Sequence, residues 1–296
     1  LPRSWVGMLG RRRYGEIVAH LNWSSTPSGN APVLIAAFEG WNDAGDAATA
    51  AVSHLGRHWG AEDFASIDPE DFYDFTATRP IVRLSDGVTR SIDWPTNTFS
   101  WAHPEETGGV VLLRGVEPQL KWRTFCAQVL EVATALECSM VLTLGALLAE
   151  VAHSRTTAVF GNAYDPALID RLDLEPSHYE GPTGIVGVLH TECAAAGIDS
   201  ASLWAAVPSY VPSAPSPKAA LALVERATGL LDTSVPTMEL TLEAAAYEHE
   251  ISQLVDEDEA TAEYVRQLEE QHDQNEPAVQ SADDMVEEVE RYLRDQ

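Results

Sequence analysis

The chain has 296 residues and a mass of 32.2 kDa, and 45% of it is apolar, enough for a sizeable core and too much for wholesale disorder. Eighteen basic residues against 46 acidic ones give a formal net charge of −28, which argues against nucleic acid or anionic lipid as the main partner. No apolar run approaches the roughly 20 residues of a membrane-spanning helix.

Arg11, Arg12 and Arg13 interrupt the N-terminal region early, so no secretory signal core is expected. Val33 to Phe38 (VLIAAF) is a short continuous apolar run, the pattern of a strand covered on both faces. A polar loop with two glycines follows, Gly40 to Asp46 (GWNDAGD), and then a helical stretch with Ala48, Val52, Leu55 and Trp59 on one face. His54 and His58 share a face of that helix, but no Glu follows the first of them, so the zinc-protease pattern is not met. Residues 62–101 differ in character: alternation around Ile81 to Ile92 and an Asp86-Gly87 turn predict a hairpin insertion.

Val110 to Leu113 and Met140 to Leu144 read as further buried strands, with a helix over 119–136 between them that turns Leu120, Val129, Val132 and Leu136 inward. Asp165-Pro166 and Ser216-Pro217 each have the form of a helix cap followed by proline in the first turn. Between them, Ile185 to Cys193 reads as helix and Ser202 to Val207 as a fourth buried strand. The alternation predicts an α/β layered fold with a largely parallel sheet. Cys126, Cys138 and Cys193 cannot all pair with one another and have no metal-ligand spacing, which fits a reducing cytoplasm and no metal.

Charge marks a boundary near Pro236. Residues 239–296 hold 19 acids and 3 bases, a net of −16, and lack glycine and tryptophan. A core domain over 1–238 and an acidic helical extension over 239–296 are therefore expected. One apolar stripe runs through Ile251, Leu254, Val255, Ala262, Val265 and Leu268; a second, after Pro277, runs through Met285, Val286, Val289, Tyr292 and Leu293. Such stripes must pack on something, the body of the chain being the first expectation and a partner-binding arm the other.

In open α/β sheets, ligands bind beyond the carboxyl ends of the strands. Four loops are expected there. The first supplies Gly40, Trp41, Asn42, Asp43, Gly45 and Asp46, acids that serve a ligand or simply cap the next helix. The second, Arg114 to Trp122, supplies Arg114 and Glu117, which bind a ligand or pair with each other. The third, Gly145 to Arg155, brings His153 and Arg155 close in sequence, and His153 is either a proton shuttle or a buried hydrogen-bonding group. The fourth, Tyr179 to Gly184, offers Tyr179, Glu180, Gly181, Thr183 and Gly184 at a helix start, with Thr183 a candidate cap. No P-loop and no Gly-x-Ser-x-Gly elbow occurs, and no catalytic residue or cofactor is assigned.

Five segments in this order, GWNDAGDAA at 40–48, RGVEPQLKW at 114–122, GALLAEVAHSR at 145–155, YEGPTGIVGVL at 179–189 and LWAAVPSYVP at 203–212, resemble the proteasome assembly chaperone two family in its actinobacterial form. The resemblance covers most of residues 30–230. It implies a sandwich similar to purine nucleoside phosphorylases, with a mixed, mostly parallel central sheet. It also implies a non-enzymatic binding or assembly role, a homo-oligomer with a trimer favoured, and protein clients such as proteasome subunits. The C-terminal hydrophobic–tyrosine–x ending used by eukaryotic members is not matched by Tyr292-Leu293-Arg294-Asp295-Gln296. The alternative is a small-molecule or nucleotide-binding enzyme of hydrolase or ligase type, with its cleft at the strand ends.

Overall fold

Apolar runs that alternate with amphipathic helices are covered in this fold by a sheet with helices on both faces. The computed structural model of the protein describes residues 20–275, apart from 86, 88, 106 and 177–179. In chain order its elements are β1 (Leu21–Trp23), β2 (Val33–Glu39), a 3₁₀ turn (Ala44–Asp46), α1 (Ala47–His58), β3 (Glu62–Ile67), β4 (Ile81–Ser85), β5 (Thr89–Asp93), β6 (Asn97–Ala102), β7 (Val110–Val116) and α2 (Trp122–Ala135). There follow β8 (Met140–Ala149), β9 (Val159–Ala163), α3 (Pro166–Leu172), β10 (Glu175–Pro176), α4 (Ile185–Ala196), β11 (Ser200–Pro208), α5 (Pro217–Leu230), α6 (Met238–Asp256) and α7 (Glu259–Asn275). Arg11 to Arg13 and the helix expected after Pro277 lie outside the described residues.

The main sheet has nine strands in the order β1-β3-β6-β7-β2-β8-β11-β9-β10. Its centre, β7-β2-β8-β11, is parallel throughout, and antiparallel neighbours extend it on both sides. The fold is thus the α/β layered fold that the alternation predicts, with the mixed central sheet that the resemblance implies. Successive side chains of a strand point to opposite faces, and β2 obeys this strictly. Leu34, Ala36 and Phe38 pack with Phe125, Val129 and Val132 of α2 and Ile185 and Leu189 of α4. Ile35 and Ala37 pack on the other side with Val52 and Leu55 of α1 and Leu223 and Val224 of α5. The caps at Asp165 and Ser216 form as read, each side chain accepting from a backbone N–H of the first turn, Ala167 at 2.8 Å and Ala219 at 3.4 Å.

Several elements differ from the reading. Within 62–101, β3 and β6 belong to the main sheet, and only β4 and β5 form a separate hairpin. The interrupted burial of β3 and β6 hid them. β8 continues through Gly145 to Ala149, where a loop was expected, because β11 pairs with it as far as Pro208. Leu120 precedes α2 and is exposed, and Leu254 points outward from α6.

α6 and α7 lie against the body. Tyr247, Ile251 and Val255 of α6 and Val265 of α7 form one buried cluster with Tyr210, Val211 and Ala214 from the segment after β11. Leu240, at the start of α6, enters the core layer formed by α1 and α5.

Candidate functional site

The loop after β2 lies beyond the carboxyl end of the parallel strands, next to β8. Asp43 makes an isolated bridge to Ala146, and the Asn42 carbonyl accepts from the Ala146 N–H at 2.8 Å. Gly40, Trp41, Asn42, Asp43, Ala44, Gly45 and Asp46 line an open cleft of about 380 Å³. Leu147, Leu148, Trp204, Pro212 and Ser213 complete its lining. Six of the residues named from sequence therefore do meet at a cleft.

Their chemistry is largely committed to the fold. Asp43 is buried, and its carboxylate accepts from the N–H groups of Ala48 at 2.7 Å and Thr49 at 3.3 Å and from the Thr49 hydroxyl at 2.5 Å. It caps α1, as the structural alternative anticipated. Burial pushes its pKa from 3.8 up to about 6, against the lowering effect of these hydrogen bonds. Gly45 has φ +58°, and its carbonyl accepts from Ser216 N–H at 2.7 Å; a Cβ there would approach the Ser216 side chain to 2.9 Å. That glycine serves close packing against the start of α5.

A second group joins this loop to α4. Glu117 accepts from the Asn42 amide at 3.1 Å and from the Ile185 N–H, in the first turn of α4, at 2.9 Å. Glu117 thus satisfies the α4 N-terminus from across the sheet, whereas Thr183 was read as the cap. Gly184 is the N-cap residue, and a Cβ on it would come within 2.3 Å of the Asn42 amide. The anticipated pairing of Glu117 with Arg114 does not form: Arg114 is exposed on β7, and Glu117 is held by Asn42 and Ile185. Glu180, Gly181 and Thr183 are exposed in the approach to α4, and Tyr179 lies outside the described residues.

His153 and Arg155 lie outside the cleft and face the C-terminal helices. His153 Nδ1 meets the Tyr210 hydroxyl at 2.7 Å and its Nε2 meets the Ser252 hydroxyl at 2.9 Å, while burial lowers its pKa. Arg155 makes a two-point contact to Asp273, with Nε at 2.7 Å and Nη2 at 2.8 Å, and reaches Glu269 at 3.3 Å. Lys218 bridges the His153 carbonyl at 2.6 Å and Glu248 at 2.7 Å. The GALLAEVAHSR segment is therefore the polar seat of α6 and α7. The partners lie about 100 residues further on, so sequence spacing could not reveal them.

One polar cluster was missed entirely. His190 is buried between α4 and the sheet, bonded to Ser200 at 3.0 Å through Nδ1 and to Ser202 through Nε2, with Thr143 at 3.3 Å. A Ser–His contact is the element of a nucleophile and base, but burial of both side chains and a His190 pKa pushed down to about 4 by desolvation make this a structural network.

No helix among the described residues is long and apolar enough to cross a membrane. No curated protein matches the chain. The PAC2 family model matches residues 37–255, a span that includes α6. Among solved structures, a PAC2 family protein from Streptomyces avermitilis is 49% identical, covering 79% of this chain and 99% of that one with a TM-score of 0.74. A proteasome-assembly chaperone homologue of Mycobacterium tuberculosis is 47% identical, with the same coverages and a TM-score of 0.72. The archaeal proteasome activator PbaB of Pyrococcus furiosus shares the fold, with a TM-score of 0.64, 16% identity and coverages of 79% and 97%. The family model that spans residues 37–255 and the 49% identity to a PAC2 family protein over 79% of the chain lead to one conclusion: this chain belongs to the PAC2 family.

Proposed function

We infer that the protein is a non-enzymatic, protein-binding member of assembly-chaperone type that works as a homo-oligomer, a trimer being the expected size, with proteasome subunits as the client class. The observation that carries this reading is the β4–β5 hairpin. Val82 pairs across the strands with Ile92, and Leu84 lies on the same face two residues from Val82, all three more than half exposed. A solvated two-stranded hairpin is marginally stable alone, and adjoining apolar side chains in water mark an interaction surface. The proposed occupant of that face is a second copy of the chain. The likeness to a proteasome-assembly chaperone homologue supports the client class, and three free thiols suit a cytoplasmic setting.

Light scattering on the eluting protein tests this, alone and with purified proteasome α-subunits. We expect an oligomer that co-elutes with the subunits and that Val82→Lys/Leu84→Lys converts to monomer. A wild-type monomer at micromolar concentration, or a variant that elutes unchanged, would sink the oligomer. No co-elution would sink the client class. The cleft keeps the hydrolase or ligase reading as the alternative, since Trp41 and Trp204 frame space for a small molecule. A nucleotide or metabolite that raises the melting temperature of the wild type but not of Trp41→Ala would favour it.

A further inference from the structure

His54 and His58 are four residues apart on α1, so their rings lie on one face a turn apart, with centroids 4.2 Å apart. Glu239, in the first turn of α6, comes up against the same face, its Oε2 3.7 Å from His58 Nε2. One ligand atom from each of His54, His58 and Glu239 lies within 4.8 Å of the others. Glu239 lies 181 positions beyond His58 and 185 beyond His54, so this set was invisible to spacing.

The hydrogen bonding of His54 fits ligation in particular. Its Nε2 lies 2.8 Å from the Pro236 carbonyl, which can only accept, so Nε2 carries the proton. That tautomer leaves Nδ1 with a lone pair, and Nδ1 is buried without a hydrogen-bond partner. Metal-ligating histidines characteristically donate their other ring N–H to a carbonyl or carboxylate, which fixes ring orientation and raises basicity.

We propose that His54, His58 and Glu239 form a binding site for a divalent transition metal of the Zn²⁺ class, a staple that fastens the start of α6 to the end of α1. Two imidazoles and one carboxylate are a donor set that suits Zn²⁺. Bonds of about 2.0–2.2 Å in tetrahedral geometry place ligand atoms roughly 3.3–3.6 Å apart. Closing the cluster therefore takes about 1 Å of movement, which the partly exposed side chains of His58 and Glu239 can make by changing rotamer. Solvent supplies the fourth ligand and an entry path. Arg57 also holds Glu239, at 3.1 Å, and a carboxylate has enough lone pairs to keep both contacts. The site lies towards the end of α1 remote from the cleft, about 10–17 Å along the helix at 1.5 Å per residue. Its role is to hold the extension in place.

Titration of chelator-treated protein with ZnCl₂ in a calorimeter tests the proposal. Wild type is expected to take up one equivalent and to melt at a higher temperature, an effect reversed by EDTA. His58→Ala and Glu239→Gln should each weaken binding by about tenfold or more. Arg57→Gln, which removes the competing ion pair and leaves all three ligands, should bind at least as tightly as wild type. Because His58, Glu239 and Arg57 are surface-accessible, unchanged far-ultraviolet circular dichroism will certify that the variants fold. Absence of Zn²⁺ binding, or weak multi-site binding that is the same in wild type and both ligand variants, would overturn the site.

Discussion

Asp43 shows how a residue with the look of a catalytic acid is consumed by local structure. Its carboxylate holds the N–H groups that open α1, and burial raises its pKa to about 6. A raised carboxylate pKa contributes stability that is fully present below the unfolded value near 3.8 and is lost as pH rises through about 6. Asp43→Asn keeps an acceptor for Ala48 without the ionisation. Between pH 5 and pH 7.5, urea unfolding should move the stability difference by about 1.4 kcal/mol in favour of the variant. Asp43→Ala, which loses the cap, should cost about 1–2 kcal/mol at neutral pH. A pH-independent difference for Asp43→Asn would show that the carboxylate is not desolvated in solution. His190 works in the opposite direction. Its depressed pKa gives stability that is present above pH 6.5 and lost as pH falls towards 4. His190→Ala leaves Ser200, Ser202 and Thr143 without their common partner in a dry layer. It should cost about 2–4 kcal/mol, and its stability should depend less on pH below 6.5 than that of the wild type.

At the scale of elements, the strands of the parallel centre were legible because burial on both faces writes a continuous apolar run, as in VLIAAF and VVLL. The flanking strands were not, since β1, β3, β6 and β9 are partly solvated and short, and their pattern reads as irregular. The docking of α6 and α7 is a mixture of the two. The apolar stripe through Ile251, Val255, Val265 and Leu268 is plain in the sequence, while the surface that receives it is built from Tyr210 to Ala214 and from His153 and Arg155. Arg155 and its acidic partners are partly solvated, so Arg155→Ala should lower global stability by no more than about 1 kcal/mol. Its effect concentrates on α7, whose opening should rise about fivefold. Hydrogen exchange over residues 259–275 measures this; unchanged exchange would mean that the apolar cluster alone holds the helix.

For the whole molecule, the question is whether α6 belongs to the body. Leu240 is 4% exposed within the core layer of α1 and α5, and Leu242, two residues on, is 64% exposed. Leu240→Ala should therefore lower the global unfolding free energy by about 2–3 kcal/mol, and Leu242→Ala by less than about 0.5 kcal/mol. Equal, small effects in a single denaturant transition would instead describe an appended helix. The family match runs to residue 255 and so covers nearly all of α6. The composition step at Pro236 marks where the chain becomes acidic, and Leu240, just beyond it, is buried in the core layer.

By itself, the sequence determined the layered α/β architecture, the parallel centre, the helix caps at Asp165 and Ser216 and the family, because each is written in contiguous residues. Hydrophobic period, capping chemistry and motif order are local quantities. Only the tertiary structure decided the fate of the polar residues. Glu117 went to the N-terminus of α4, His153 and Arg155 went to helices about 100 residues away, and His54 and His58 met Glu239, 185 and 181 residues further along the chain. A polar side chain in a folded chain takes the partner that desolvation and geometry leave within hydrogen-bond reach, and chain separation carries no information about which one that is.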